Sequence, residues 1–289
     1  MRLLDLRGMG LAEILRCAAK DFMADEMPTY ASALAFQMLF SLFPFLLFLI
    51  ALIGFLDLQQ FFDWLQQQAA LLLPAQAMDT VNAVIAQFQT ERVGLFSVGI
   101  LAALWTASAG VRSTMLAMNK AYDVKEGRPA WKRIPLSVFY TIGIALMLLS
   151  AAALMLVGPQ VMGWLAGWVG LEQLIVILWT WLRWPLAVLL LILVVATIYY
   201  VAPDVEQRFH FITPGSVLAV LVWIAASLGF GFYVRNFANY DATYGSVGAI
   251  IVMLLYFFIS AAVLLFGAEM NAVIEHRHPE GKDPGEKQL

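Results

Sequence analysis

The sequence predicts an all-α, polytopic membrane protein: a bundle of six transmembrane helices with an N-terminal interfacial helix and a helical outer connection between spans 1 and 2. Three observations carry this. Hydrophobic residues make up 62% of the 289 and charged residues only 13%, against about 25% charged in soluble domains, so the chain cannot cover its own surface in water. Six long stretches contain no Asp, Glu, Lys or Arg, and about 20 apolar residues suffice for a helix to cross a bilayer. The runs are too long, and too uniformly apolar, for the alternating strands of about ten residues that build a barrel.

Trimmed at Pro, Gly and polar clusters, the spans are expected near 32–56, 94–118, 134–158, 176–201, 212–234 and 245–270, inside a membrane domain of 31–272. Lys and Arg set the orientation. Thirteen basic residues lie in the N-terminal tail, the 2–3 and 4–5 connections and the C-terminus, whereas only Arg92, Arg183 and Arg235 lie on the other side. Both termini are therefore expected in the cytoplasm of a bacterial cell, with the chain in its inner membrane. Five tryptophans around the 3–4 connection, Trp164 to Trp184, suit the outer headgroup level.

Residues 1–30 read as a cytoplasmic amphipathic segment: Leu11, Leu15, Ala18 and Phe22 recur at helical spacing, and no cleavage motif follows. Pro74 divides the 1–2 connection into two amphipathic stretches, which form an outer helical cap or pack on the bundle rim. Residues 273–289, rich in Lys, Glu, Pro and Gly, read as a disordered cytoplasmic tail.

Composition narrows the chemistry. A net charge of −3 argues against nucleic acid as a partner. One cysteine, Cys17, and three scattered histidines are poor material for a metal centre, and no P-loop, G-x-S-x-G or H-E-x-x-H occurs. No catalytic residue, metal or cofactor is expected.

Polar groups within or beside apolar runs cost free energy there and so need a reason. Gln37 and Ser41 share one face of span 1, and Pro44 leaves the carbonyl of Phe40 without its usual partner. They line a cavity or bond between helices. In span 2, Trp105, Thr106, Ser108, Gly110, Arg112, Ser113 and Asn119 form a small and polar face. Arg112 lies roughly 27 Å along the span from Gly94 and Glu269 roughly 36 Å from Gly245, both near the inner boundary. They are expected to pair there, snorkelling of Arg112 being the alternative. Asn271 follows Glu269. Between spans 5 and 6, Asn239, Asp241 and Tyr244 crowd a short turn, as turn formers or as an outer gate.

Five segments then resemble a known family. They are YASALAFQMLFSLFPF from Tyr30; the end of span 2 with Asn119, Tyr122, Arg128 and Trp131 to Arg133; Thr213-Pro214-Gly215; Trp223; and YVRNFANYDATYGSVGAII closing on GAEMN. In this order, over roughly residues 10–275, they resemble the YihY/BrkB family of bacterial inner-membrane proteins. The resemblance implies six spans with both termini inside. Members were once labelled ribonuclease BN, a label this sequence does not support, and are commonly described as transporters of unknown substrate. The leading expectation is a transporter or permease-like protein for an unknown solute, ion or lipid. Its candidate pathway or gate residues are Gln37, Ser41, Pro44, Arg112, Asn119, Asn239, Asp241, Tyr244, Glu269 and Asn271. The rival is a non-catalytic structural or assembly factor of the cell envelope. Besides the lipid bilayer, a second copy of the chain or an envelope protein is the partner then expected.

Overall fold

A computed structural model describes residues 10–55, 93–156, 172–206, 211–237, 246–276 and 287. Among them are seven helices and no strand: α1 (Leu11–Ala24), α2 (Met27–Phe55), α3 (Val93–Ala121), α4 (Ala130–Leu156), α5 (Glu172–Val201), α6 (Pro214–Phe237) and α7 (Ser246–His276). Helices α4 to α7 are each long and apolar enough to cross a membrane. The outer connection expected at about 57–93, apart from Val93 at the start of α3, and the turn with Asn239, Asp241 and Tyr244 lie outside the described residues.

The chain divides into two compact units, Met1–Phe36 with Gly110–Leu289, and Gln37–Ala109. In the first, α7 packs on α6 and α1, and α5 packs on α4 and α6. Its core is built from helical stripes: Met27, Ala31 and Leu34 of α2, Met115, Met118 and Ala121 of α3, and Ala261, Leu265, Ala268 and Ala272 of α7. Alanine dominates because water drives no sorting between apolar side chains in lipid, so close backbone approach and dispersion hold the helices together. Large apolar residues accordingly face outward, among them Phe139, Leu146, Leu228 and Phe232.

Contacts between α6 and α7 show how close the approach is. A Cβ placed on Gly215 would strike the carbonyl oxygen of Gly267, and one placed on Gly267 would meet the Gly215 carbonyl at 2.7 Å and the Ala219 Cβ at 2.9 Å. Higher up the same pair, Trp223 Nε1 donates to Ser260 Oγ at 3.1 Å and Ser227 Oγ shares a hydrogen bond with Tyr256 Oη at 3.0 Å. Tyr199 of α5 joins them, donating to the Leu264 carbonyl at 2.6 Å.

The helix ends follow local chemistry. Pro214 opens α6, where its missing N–H costs nothing. Thr213 and Ser216 cap each other: the Ser216 N–H reaches Thr213 Oγ1 and the Thr213 N–H reaches Ser216 Oγ, both at 3.1 Å. Helix α3 stops in a Schellman turn, with Val124 N–H on the Asn119 carbonyl at 2.9 Å and Asp123 N–H on the Lys120 carbonyl at 3.0 Å. Asp123 takes the left-handed position, φ 53°, that glycine usually fills. Helix α1 closes similarly through Glu26 at φ 55°.

Helix α1 forms where the sequence predicts a helix, but its buried face is set by Ile14 and Ala18, which pack on Met270, Val273 and Ile274 of α7. Leu11, expected on the apolar face, is exposed. Helix α7 continues to His276, beyond the expected span end at 270.

Candidate functional site

The C-terminal ends of α1, α3 and α7 meet around a cavity of about 420 Å³. Asp21 and Asp25 reach it from α1 and its cap, Asp123 from the turn after α3, and Glu269 and His276 from the last turns of α7. Ala24, Ala121, Ala272 and Val273 complete the wall. Helix C-termini carry partial negative charge on carbonyls that lack intrahelical partners, so acidic residues there are disfavoured by the helices themselves. Asp21 and Asp25, four apart, add like-charge repulsion. Such an arrangement opposes local stability.

Glu269 is the most confined member. It is 1% exposed, and among the described residues its Oε1 has no hydrogen-bond partner. An unsatisfied buried carboxyl oxygen costs free energy in either protonation state. Lys120 Nζ lies 2.8 Å from Asp25 Oδ1 at the edge of this region. The His276 ring packs edge-on against Tyr122, centroids 6.1 Å apart.

The expected partner of Glu269 is elsewhere. Arg112 Nη1 donates to Ser137 Oγ of α4 at 3.1 Å, and Ser137 Oγ donates in turn to the Ile134 carbonyl at 2.7 Å. Among the described residues no ion pair joins Arg112 to Glu269. The depth expected for both from span length is compatible with this, because depth along a helix says nothing about which face each side chain occupies.

Asn119 and Asn271 fasten segments together. Asn119 Nδ2 donates to Glu126 Oε2 at 3.0 Å, while its Oδ1 accepts the Asp204 N–H at 2.6 Å. Around it, Arg128 grips Glu126 through Nε and an Nη2 donor at 2.8 and 2.9 Å and also reaches the Ala202 carbonyl at 2.9 Å. Asp204 accepts the Gly127 N–H at 2.8 Å and the ammonium of Lys287. Burial works against ionisation of Glu126, but the hydrogen bonds and charge of Arg128 outweigh it and hold its carboxyl below the ordinary range. Asp204 is likewise held low, burial being overcome first by Lys287 and then by the Gly127 N–H and the two cations' charge. Asn271 Oδ1 accepts the Gly215 N–H at 2.9 Å, an otherwise unused donor at the start of α6, and its Nδ2 donates to Thr213 Oγ1 at 3.0 Å.

In the other unit, Ser41 Oγ donates to the Met38 carbonyl at 2.9 Å, Gln37 is half-buried, and Pro44 interrupts the α2 ladder. Asp21, Asp25, Asp123 and His276 were not singled out from the sequence. The available signal was acid at helix C-termini, against the dipole rule. Among the described residues, no three His, Cys, Asp or Glu stand close enough to hold a metal ion.

The family model described as Virulence factor BrkB matches residues 18–288, nearly the whole chain. The protein belongs to the BrkB family. Its BrkB-family relatives include YfkH of Bacillus subtilis, named ribonuclease-like, 37% identical over 87% of this chain and 91% of YfkH. A UPF0761 membrane protein of Tolumonas auensis is 26% identical over 86% of this chain and 81% of its own length. Another, from Paraburkholderia xenovorans, is 27% identical over 91% of this chain and 60% of its own. No solved structure matches the chain. This BrkB-family chain is thus a multi-pass bacterial membrane protein, embedded in a lipid bilayer, with a buried acidic group beside a polar cavity.

Proposed function

We propose that this protein is a permease-like transporter of the bacterial cytoplasmic membrane, with six spans and both termini inside. Its substrate or coupling ion carries positive charge. One observation supports the reading above others: Glu269, buried on a membrane-crossing helix, lines a cavity walled by three further carboxylates. A bundle that only had to hold together would gain by replacing Glu269 with an apolar residue, because a buried carboxyl group costs free energy there and, among the described residues, its Oε1 makes no bond between helices. The ribonuclease-like name of YfkH has no counterpart in this arrangement. Basic residues concentrated beside alternate span ends support the orientation.

The scaffold reading draws on Asn119 and Asn271, whose polar atoms are engaged in fastening helices and loops. It assigns Glu269 no task. Flux in proteoliposomes separates the two. Proton and ion movement, fluorescent-lipid exchange and uptake of small metabolites are read for the natural protein and for Glu269→Gln. Saturable movement lost in the variant is the expected result. Movement of no species by a correctly folded protein would end the transport reading and turn attention to cross-linking an envelope partner.

A further inference from the structure

The acidic cavity also carries information about the size and shape of what it takes. We propose that it binds an organic cation of the diamine or polyamine class, its ammonium groups on the carboxylates and its methylenes on the small apolar wall. The inference deepens the transport reading by naming a substrate class, and rests on that reading only for its purpose.

Charge comes first. Asp21, Asp25, Asp123 and Glu269 face one space, and three helix C-termini add their partial negative charges. Lys120 pairs directly with Asp25 at 2.8 Å and its charge also reaches Asp123 and Glu269, so that among the described residues one ammonium and the His276 imidazole stand against four carboxyl groups. Among the described residues no donor reaches Oε1 of the 1%-exposed Glu269, a residue that lines the same space.

Geometry then selects among cations. Calcium takes six to eight oxygens and magnesium a near-ideal octahedron, both of which need ligands that converge. The described carboxylates do not converge, since no three acidic, His or Cys groups are close enough to share a metal. Ammonium groups ask for less: each N–H bonds one carboxylate oxygen, and several such groups along a chain reach carboxylates spread over a wall. The volume of about 420 Å³ equals roughly fourteen waters at about 30 Å³ each, room for a flexible chain of a dozen or so heavy atoms. Ala24, Ala121, Ala272 and Val273 share the wall with the carboxylates, and they offer methylene groups contact that a hydrated metal ion would not use.

Calorimetric titration of spermidine into the full chain, purified in non-ionic detergent, tests this. Saturable binding is expected, weakened about tenfold in each of Asp21→Asn and Asp123→Asn through loss of one charge-assisted bond, and abolished in Glu269→Gln. Asn keeps the shape of both aspartates and tolerates the left-handed turn at 123, so the two variants remain informative if Glu269→Gln fails to fold. No saturable heat with spermidine, or unchanged binding in both aspartate variants, would overturn the proposal. So would magnesium alone binding more tightly and displacing spermidine. Binding is measured apart from flux: intact binding with no transport would end the transport reading and leave the site, and transport of another solute with no spermidine binding would do the reverse.

Discussion

Asn119 accepts the backbone N–H of Asp204 at 2.6 Å, and so joins the last turn of α3 to the segment after α5, 85 residues further on. Its amide also donates to Glu126, and the side chain is 3% exposed. Asn119→Ala leaves a backbone N–H and a carboxylate oxygen short of a partner, and about 2 kcal/mol of stability is expected to go. Asn119→Asp should be worse, since a second carboxylate would face Glu126. Thermal unfolding in detergent orders the three proteins; equal midpoints would show that the bridge contributes nothing.

The Glu126, Arg128, Asp204 and Lys287 cluster makes stability depend on acid. Both carboxyls are held below their ordinary values, so their ionised forms are favoured in the folded state. Their contribution is fully present above the unfolded carboxylate range of about pH 4 and is lost as pH falls through the lowered values. The unfolding midpoint should therefore drop steeply below about pH 4, and Asp204→Asn should flatten that drop while lowering the neutral-pH midpoint. An unaltered acid limb in Asp204→Asn would exclude this carboxylate as a source.

Glycines of α6 and α7 differ in what they tolerate. A methyl group on Gly267 meets a carbonyl at 2.7 Å and a carbon at 2.9 Å, and both belong to packed helix rather than to a movable side-chain end. Gly267→Ala should cost about 1–3 kcal/mol as α6 and α7 are pushed apart. Gly229 and Gly231, on α6, have nothing among the described residues within 4 Å of such a methyl. Alanine at either should be neutral or slightly stabilising, since it is the better helix former by about 1 kcal/mol. Thermal melts of the three variants decide, and comparable losses at 267 and 229 would contradict the close approach.

Arg112 and Glu269 should behave as independent residues. Arg112 bonds Ser137 and Glu269 lines the cavity, so the effects of Arg112→Ala and Glu269→Gln on stability are expected to add within about 0.5 kcal/mol. Arg112→Ala and Ser137→Ala, by contrast, should be non-additive. A double-mutant cycle in thermal or denaturant unfolding measures both.

That last pair marks where sequence reasoning stopped. Helices α2 to α7 overlap all six expected segments because freedom from charge over about 20 residues is a property of the chain itself, readable without knowing any neighbour. Glu269 stood out for the same reason, as a charge at the end of an apolar run. What lies beside it depends on rotation of α7 against α1 and α3, and a hydrophobic pattern that is apolar all round sets no rotation. Asp21, Asp25 and Asp123 therefore could not be grouped with Glu269, and the groups that Asn119 and Asn271 bond could not be named. The left-handed turn at Asp123 was hidden as well, since nothing in its neighbourhood signals a glycine position filled by aspartate.

The ammonium that completes the Asp204 cluster belongs to Lys287, 83 residues downstream of its partner. At about 5–20 residues per second of synthesis, that residue leaves the ribosome on the order of ten seconds after Asp204, and after every helix described here. The nascent bundle thus passes through a stage in which Asn119, Gly127 and Arg128 hold Asp204 without its second cation. A ribosome stalled beyond α7 would hold the chain at that stage, its helices already made and one fastening still untied.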